Sequence, residues 1–161
     1  MKRNDTKMIH VGGVAVGGAN PVTVQSMCNT KTQDVEGTLH QISAMAAAGC
    51  DIVRLAVPNM EAARAISSIR ERSPLPIVAD IHFDYRLALE AAARGADKIR
   101  INPGNIGDAD HVKAVAQCCR ERKIPIRIGV NGGSLEKGLL EKYGHLTAEA
   151  LVDSARNEIA L

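Results

Sequence analysis

Five short β-branched runs recur along this chain at intervals of about 20–30 residues, and each is followed by a stretch with helical character. The runs are PVTVQSM (21–27), DIVRLAV (51–57), PIVADIH (76–82), DKIRINP (97–103) and IPIRIGV (124–130). Ala- and Leu-rich helices are predicted near 34–48, 59–72, 84–94 and 108–122, with two more near 134–142 and 147–158. Asp34, Asn59, Asp84 and Asp108 stand where N-caps belong, because a short polar side chain there accepts from the first free helical N–H groups. Gly49 and Gly95 stand where helices stop in a left-handed residue. Strand alternating with helix requires βαβ crossovers, and so a parallel sheet. Ahead of the first unit, MIHVGGVAVGG (8–18) reads as a small glycine-rich hairpin.

Two architectures use such units, and the strand faces choose between them. Strands buried on both faces read as continuous apolar runs. Here one face is aliphatic and the other polar. Arg54 and Ala56 oppose Val53 and Leu55; Asp80 and His82 oppose Ala79 and Ile81. Arg100 and Asn102 oppose Ile99 and Ile101; Arg127 and Gly129 oppose Ile126 and Ile128; Thr23 and Gln25 oppose Val22 and Val24. A doubly wound sheet would bury the charges under helices, whereas a barrel turns them into its lumen, toward a C-terminal mouth. A dinucleotide fold would also place G-x-G-x-x-G directly after the first strand, where this chain has CNTKTQD. The expected fold is therefore α/β, a partial TIM (β/α)8-type barrel of about five parallel strands with crossover helices, preceded by the hairpin.

The polar face suggests a ligand. Arg54, Arg100 and Arg127 occupy matching strands, and a guanidinium offers a fork of donors that fits phosphate. The loops that follow, NPGNIG (102–107) and VNGGS (130–134), offer Asn102, Asn105 and Asn131 as neutral hydrogen-bonding groups. Gly104 and Gly107 would let backbone N–H groups approach an anion, and Ser134 would open a helix whose N-terminus adds to the attraction. A lone arginine in a strand is more often half of a structural ion pair; three in one wall favour anion binding. Asp80 and His82 form the one Asp/His pair on a strand face. They are candidates for holding a hydroxyl, moving a proton or binding a metal, and equally for a lumen ion pair between Asp80 and arginine with His82 alongside.

Composition removes other classes. The net charge is +2 with both signs dispersed, and the aromatic residues are Phe83, Tyr85 and Tyr143 with no Trp, which argues against a nucleic-acid partner. No apolar run approaches the roughly 18 residues of a membrane span, and the polar start MKRNDTK does not resemble a secretory signal. Cys28, Cys50, Cys118 and Cys119 form no CxxC pair and have no metal-ligand spacing, which suits a reducing cytoplasm. Cys28 is placed near the mouth, and Cys119 in a helix core with Val112 and Val115.

In this order, VQSMCNT, DIVRLAVP, VADIHFDYR, RINPGNIG and IRIGVNGGSLEKGLLEKYG closely resemble the N-terminal barrel of the 4-hydroxy-3-methylbut-2-enyl diphosphate synthase family, from about residue 8 to about residue 155. The resemblance implies reductive ring opening of 2-C-methyl-D-erythritol 2,4-cyclodiphosphate in isoprenoid biosynthesis, with loss of water. It implies a [4Fe–4S] cluster held in a separate C-terminal domain, a ferredoxin or flavodoxin electron donor, and a homodimer when full length. Arg54, Arg100, Arg127 and Asn131 fall on the family's phosphate-contacting pattern, Asn102 on its loop, and Asp80 and His82 on its DIH motif near the substrate. Position 28 departs from the pattern, with Cys for the usual Thr. Residues 1–161 are expected to be the N-terminal part of the substrate-binding barrel, without the later strands and the cluster ligands. Two alternatives are a phosphate-binding fragment without chemistry of its own and a pterin-binding barrel similar to dihydropteroate synthase, whose strand Asp and Asn residues match poorly here.

Overall fold

The computed structural model describes residues 2–160. The hairpin forms as β1 (Ile9–Val11) and β2 (Val14–Val16), antiparallel with Val11 opposite Val14. Gly12 turns it at φ +56°, where a Cβ would also strike Pro76 and Asp97. Five parallel strands follow in chain order: β3 (Gln25–Met27), β4 (Ile52–Val57), β5 (Ile77–Ile81), β6 (Lys98–Ile101) and β7 (Ile126–Ile128). The crossover helices are α1 (Val35–Ala47), α2 (Met60–Arg72), α3 (Tyr85–Ala93) and α4 (Ala109–Glu121). A doubly wound sheet reverses its strand order midway; this one does not, so it is a stretch of barrel wall.

The local signals act as their chemistry dictates. Asp34, Asn59, Asp84 and Asp108 each accept from a backbone N–H in the first turn of their helix. Gly49 and Gly95 follow α1 and α3 at φ +86° and +91°. Two boundaries differ from expectation. The first strand is confined to Gln25–Met27, because Val24 is tied to the turn at Asp51: its N–H donates to the Asp51 carboxylate and its carbonyl accepts from the N–H groups of Asp51 and Ile52. The helix expected at Ser134 begins at Lys137 instead (α5, Lys137–Tyr143), and Gly132–Ser134 form a 3-10 turn. Paired glycines disfavour a helical start, and the Asn131 side chain takes the Gly133 N–H into a local turn. α6 (Ala148–Ile159) closes the described chain, capped by Thr147.

On β4, β5 and β6 the aliphatic strand face meets the helices as expected, whereas Val22 and Val24, assigned to that face of the first strand, lie ahead of β3 and are exposed. Val53, Leu55, Ala79, Ile81, Ile99 and Ile101 pack with Ile42, Ile66, Ile69, Ala91 and Val115. Cys119 joins them, and Ile128, on the edge strand β7, is half-buried and outside this cluster. Cys28 corrects the sequence reading: strand alternation turns it away from the mouth into this core, beside Leu39 and Ile42. The opposite, inner face is divided along its length. Toward the N-terminal ends of the strands, Ile52 and Val78 are buried under Val11, Val14 and Val16 of the hairpin. The hairpin is therefore a plug, and Asp80, Arg100 and Arg127 lie beyond it. No helix among the described residues is long and apolar enough to cross a membrane.

Candidate anion-binding site

Asp80 sits at the centre of the polar half. In the ladder it pairs with Ala56 on one side and Arg100 on the other, and Arg100 pairs with Arg127. Arg54 lies one layer nearer the plug, level with Met27 and Val78. The three arginines share a face but not a level, a correction to the matching positions inferred from sequence. Asp80 is 1 % exposed. Its Oδ2 accepts from Arg54 Nη2 at 2.6 Å and lies 3.2 Å from His82 Nε2, while Oδ1 accepts from Arg100 Nη1 at 3.1 Å. A carboxylate buried to this degree is stable only when paired, and two guanidinium groups supply that. Any of the roles considered for the Asp/His pair starts from this ion-paired arrangement, since Asp80 is already engaged by Arg54 and Arg100.

The wall carries more positive charge than Asp80 offsets. Arg54, Lys98, Arg100 and Arg127 share the inner face by alternation. Arg127 is exposed and bonds no carboxylate among the described residues. Lys98 is half-buried, and burial first, then the nearby Arg127 charge, push its ammonium below the usual lysine range. Lys98 escaped the sequence reading, although its i−2 spacing from Arg100 was a sufficient signal. Like charges on neighbouring strands repel, so the outer part of the wall favours an anion.

The loops behave differently from their sequence reading. Asn102 is 2 % exposed and engaged within the protein, and its carbonyl accepts from Asn105 N–H to close the 3-10 turn Pro103–Asn105. The Gly104 N–H is not free for an anion, because it donates to the Glu158 carboxylate on α6. Gly107, at φ +121°, is required by the His111 ring that occupies the space of its absent Cβ. His111 in turn stacks on Tyr85 with ring centroids 4.0 Å apart. Asn131 is exposed at the mouth side of β7, with its Oδ1 accepting from Gly133 N–H at 3.0 Å. The structure thus brings Arg54, Asp80, His82 and Arg100 into one bonded cluster, sets Arg127 beside it, and places Asn102 and Asn131 in the loops that follow β6 and β7.

A one-directional βα wall, plugged at one end and cationic toward the other, defines a TIM-barrel-type domain. Comparison with known families gives the specific member: the GcpE TIM-barrel domain matches residues 6–161, and the chain belongs to that family. Relatives include 4-hydroxy-3-methylbut-2-en-1-yl diphosphate synthase (flavodoxin) of Idiomarina loihiensis, 60% identical over 159 residues that cover 99% of this chain and 43% of the relative. The proteins of the same name from Ruminiclostridium cellulolyticum and Geobacter sulfurreducens are 56% and 58% identical, over 100% and 97% of this chain and 46% and 44% of theirs. The chain thus spans less than half the length of these relatives.

Proposed function

We propose that this chain supplies part of the diphosphate-binding site of a cytoplasmic 4-hydroxy-3-methylbut-2-en-1-yl diphosphate synthase, which opens 2-C-methyl-D-erythritol 2,4-cyclodiphosphate reductively with loss of water. The observation that supports it best is the Arg54–Asp80–Arg100 lattice beside the exposed Arg127, which bonds no carboxylate among the described residues, in a domain of this family. The lattice holds two guanidinium groups before any ligand arrives, so little ordering remains to oppose binding. Arg127 meets the diphosphate first, Arg54 and Arg100 accept it with their remaining N–H groups, and Asn102 and Asn131 serve as neutral partners. We assign His82 to proton handling near the substrate. Asp80, 3.2 Å from its Nε2, orients the ring, which is 41% exposed toward the mouth.

The two electrons come from elsewhere in the whole protein. An iron–sulfur cluster is held by thiolates, and the cysteines of this chain do not fit one. Cys28, Cys50 and Cys119 are buried, and burial pushes the Cys28 and Cys119 thiols up to about 11 and about 12. No group of three or more His, Cys, Asp or Glu among the described residues is placed to hold a metal. In this reading the [4Fe–4S] cluster is held by residues of the whole protein outside this chain, its donor is flavodoxin, as in the relatives' names, or ferredoxin, and the whole protein acts as a homodimer.

The test is calorimetry of the cyclodiphosphate on the whole protein carrying Arg54→Met, Arg100→Met or Arg127→Met. Each lost charge-assisted bond is worth about 1.5–3 kcal/mol, so each variant should bind roughly 10–150-fold more weakly. Unchanged affinity in all three would reject the site.

A further inference from the structure

We propose that Gly129 is a positioning residue: its bare Cα is the seat on which the Arg100 guanidinium lies, so that no larger residue at 129 leaves Arg100 in its present place. Gly129 directly follows β7 and shares the inner face with Arg127. A Cβ built on it would fall 2.5 Å from Arg100 Nη2, 2.6 Å from Nε and 2.9 Å from Cζ. Three atoms of one planar group at such distances mean that the plane of the guanidinium rests against this Cα. Its remaining nitrogen, Nη1, reaches Asp80 Oδ1 at 3.1 Å. The group therefore bridges from β7 to β5 across the end of its own strand β6.

The other reasons for a glycine do not apply here. Gly129 is absent from the glycines with positive φ, so its backbone conformation suits any residue. Its N–H donates to the Ile101 carbonyl at 2.9 Å, a ladder bond that any residue but proline would make. Space for Arg100 is the remaining requirement. Because the Gly129 backbone is held to β6 by its ladder bond and the guanidinium is the far end of a flexible chain, a methyl group here displaces the side chain and spares the sheet. The displacement needed to restore van der Waals contact is roughly 1 Å. A rigid planar group carries that shift to Nη1, whose bond to Asp80 is already long for a charge-assisted pair. A residue outside the bonded cluster thus sets the reach of one of its cations. The functional weight of this inference rests on the anion-binding reading above, while the seat itself can be tested without any ligand.

The experiment compares the chain with its Gly129→Ala variant by NMR of arginine Nε–Hε groups, with the Arg100 signal assigned by its disappearance in Arg100→Lys. In the parent the Arg100 Hε should exchange slowly; in Gly129→Ala it should exchange at least about tenfold faster while the Ile101 and Arg127 amides stay protected. An unaltered Arg100 signal in the variant would overturn the proposal. Should Gly129→Ala melt early, adding Arg100→Lys must restore stability if the guanidinium is the group struck; no restoration would equally overturn it. Inorganic diphosphate then separates the two readings. If the parent binds it, Gly129→Ala should weaken binding by about tenfold, and Arg100→Lys should cost less in that background than in the parent. A parent that binds no diphosphate counts against the anion site, and the exchange result still decides the seat.

Discussion

Replacing Asp80 with Asn tests the centre of the site. The amide keeps the volume and one acceptor oxygen but removes the charge, leaving Arg54 and Arg100 facing each other without a counterion. Their side chains are 23% and 15% exposed, against 1% for Asp80. Breaking a fully buried pair costs about 3–5 kcal/mol. Partial access of water to both arginines moves the expectation to the lower end, about 3 kcal/mol. For a chain of this length that corresponds to a melting point lower by roughly 6–12 °C. Circular dichroism melts at low ionic strength measure it directly.

The same substitution makes a second forecast of opposite sign. With the carboxylate gone, two uncompensated guanidinium groups remain in one place, and an added anion can take over its role. Inorganic phosphate should therefore raise the melting point of Asp80→Asn more than that of the parent, by up to about 2.7 kcal/mol at a hundredfold excess over its dissociation constant. Sodium chloride at matched ionic strength controls for screening. Two results together would refute the reasoning: a melting point within about 2 °C of the parent, which is under 1 kcal/mol, and an equal response of both proteins to phosphate.

Two further predictions concern the elements around the cup. Glu158 is buried, and burial first, then the Glu136 charge, hold its carboxyl above the usual glutamate range; Oε2 of each residue is buried without a partner. A raised folded value means that this contribution is complete below the unfolded value of about 4.3 and is lost as pH rises through the folded one. The melting point should therefore fall across that window in the parent and much less in Glu158→Gln; identical pH profiles would show that Glu158 does not carry this dependence. Val11→Ala, in the plug, should cost about 2 kcal/mol in urea unfolding and leave phosphate binding unaltered, since the hairpin packs on Ile52 and Val78 beyond the cup. A loss below about 0.5 kcal/mol would mean that the hairpin frays from the wall.

Alternation within a strand is a local property, and most of what depends on it was legible: the helix-facing Leu55, Ala79 and Ile101 and the inward Arg100, though not Cys28 at the end of β3, where the run was read one step past its strand. Caps are local too, so Asp34, Asn59, Asp84 and Asp108 could be read directly. Relations between strands could not. Arg54 and Arg100 look equivalent in their own runs, but register is set where strands meet, and it puts Arg54 one layer lower. Glycines were the hardest to read, because each one answers to a distant neighbour. Gly107 makes room for the His111 ring, Gly129 for the Arg100 guanidinium, and the Gly104 N–H is claimed by a helix some fifty residues on. The Asp–Arg ion pair and the anion cup, posed as rivals from sequence, are two aspects of one arrangement. Asp80 makes the burial of Arg54 and Arg100 tolerable, and leaves the excess charge to Arg127.

That excess follows from the two-part inner face. Hydrocarbon from Val11, Ile52 and Val78 fills the end toward the plug. The cations begin level with Val78, which pairs with Arg54 on one side and Lys98 on the other, and continue outward to Arg100 and Arg127, and Asp80 is the one acid among the strand residues of this face. Repulsion between Lys98, Arg100 and Arg127 is a standing cost of folding, small at the exposed Arg127 and larger at the half-buried Lys98. An anion at the mouth removes that repulsion as it binds, so its net gain includes energy already stored in the fold. The Asp80 carboxylate holds Arg54 and Arg100 in place but also satisfies part of their charge, and for a small anion the charge freed in Asp80→Asn outweighs the ordering lost. On this reasoning the stability of the chain and its affinity for anions are coupled through one carboxylate: weakening Asp80 lowers the first and raises the second.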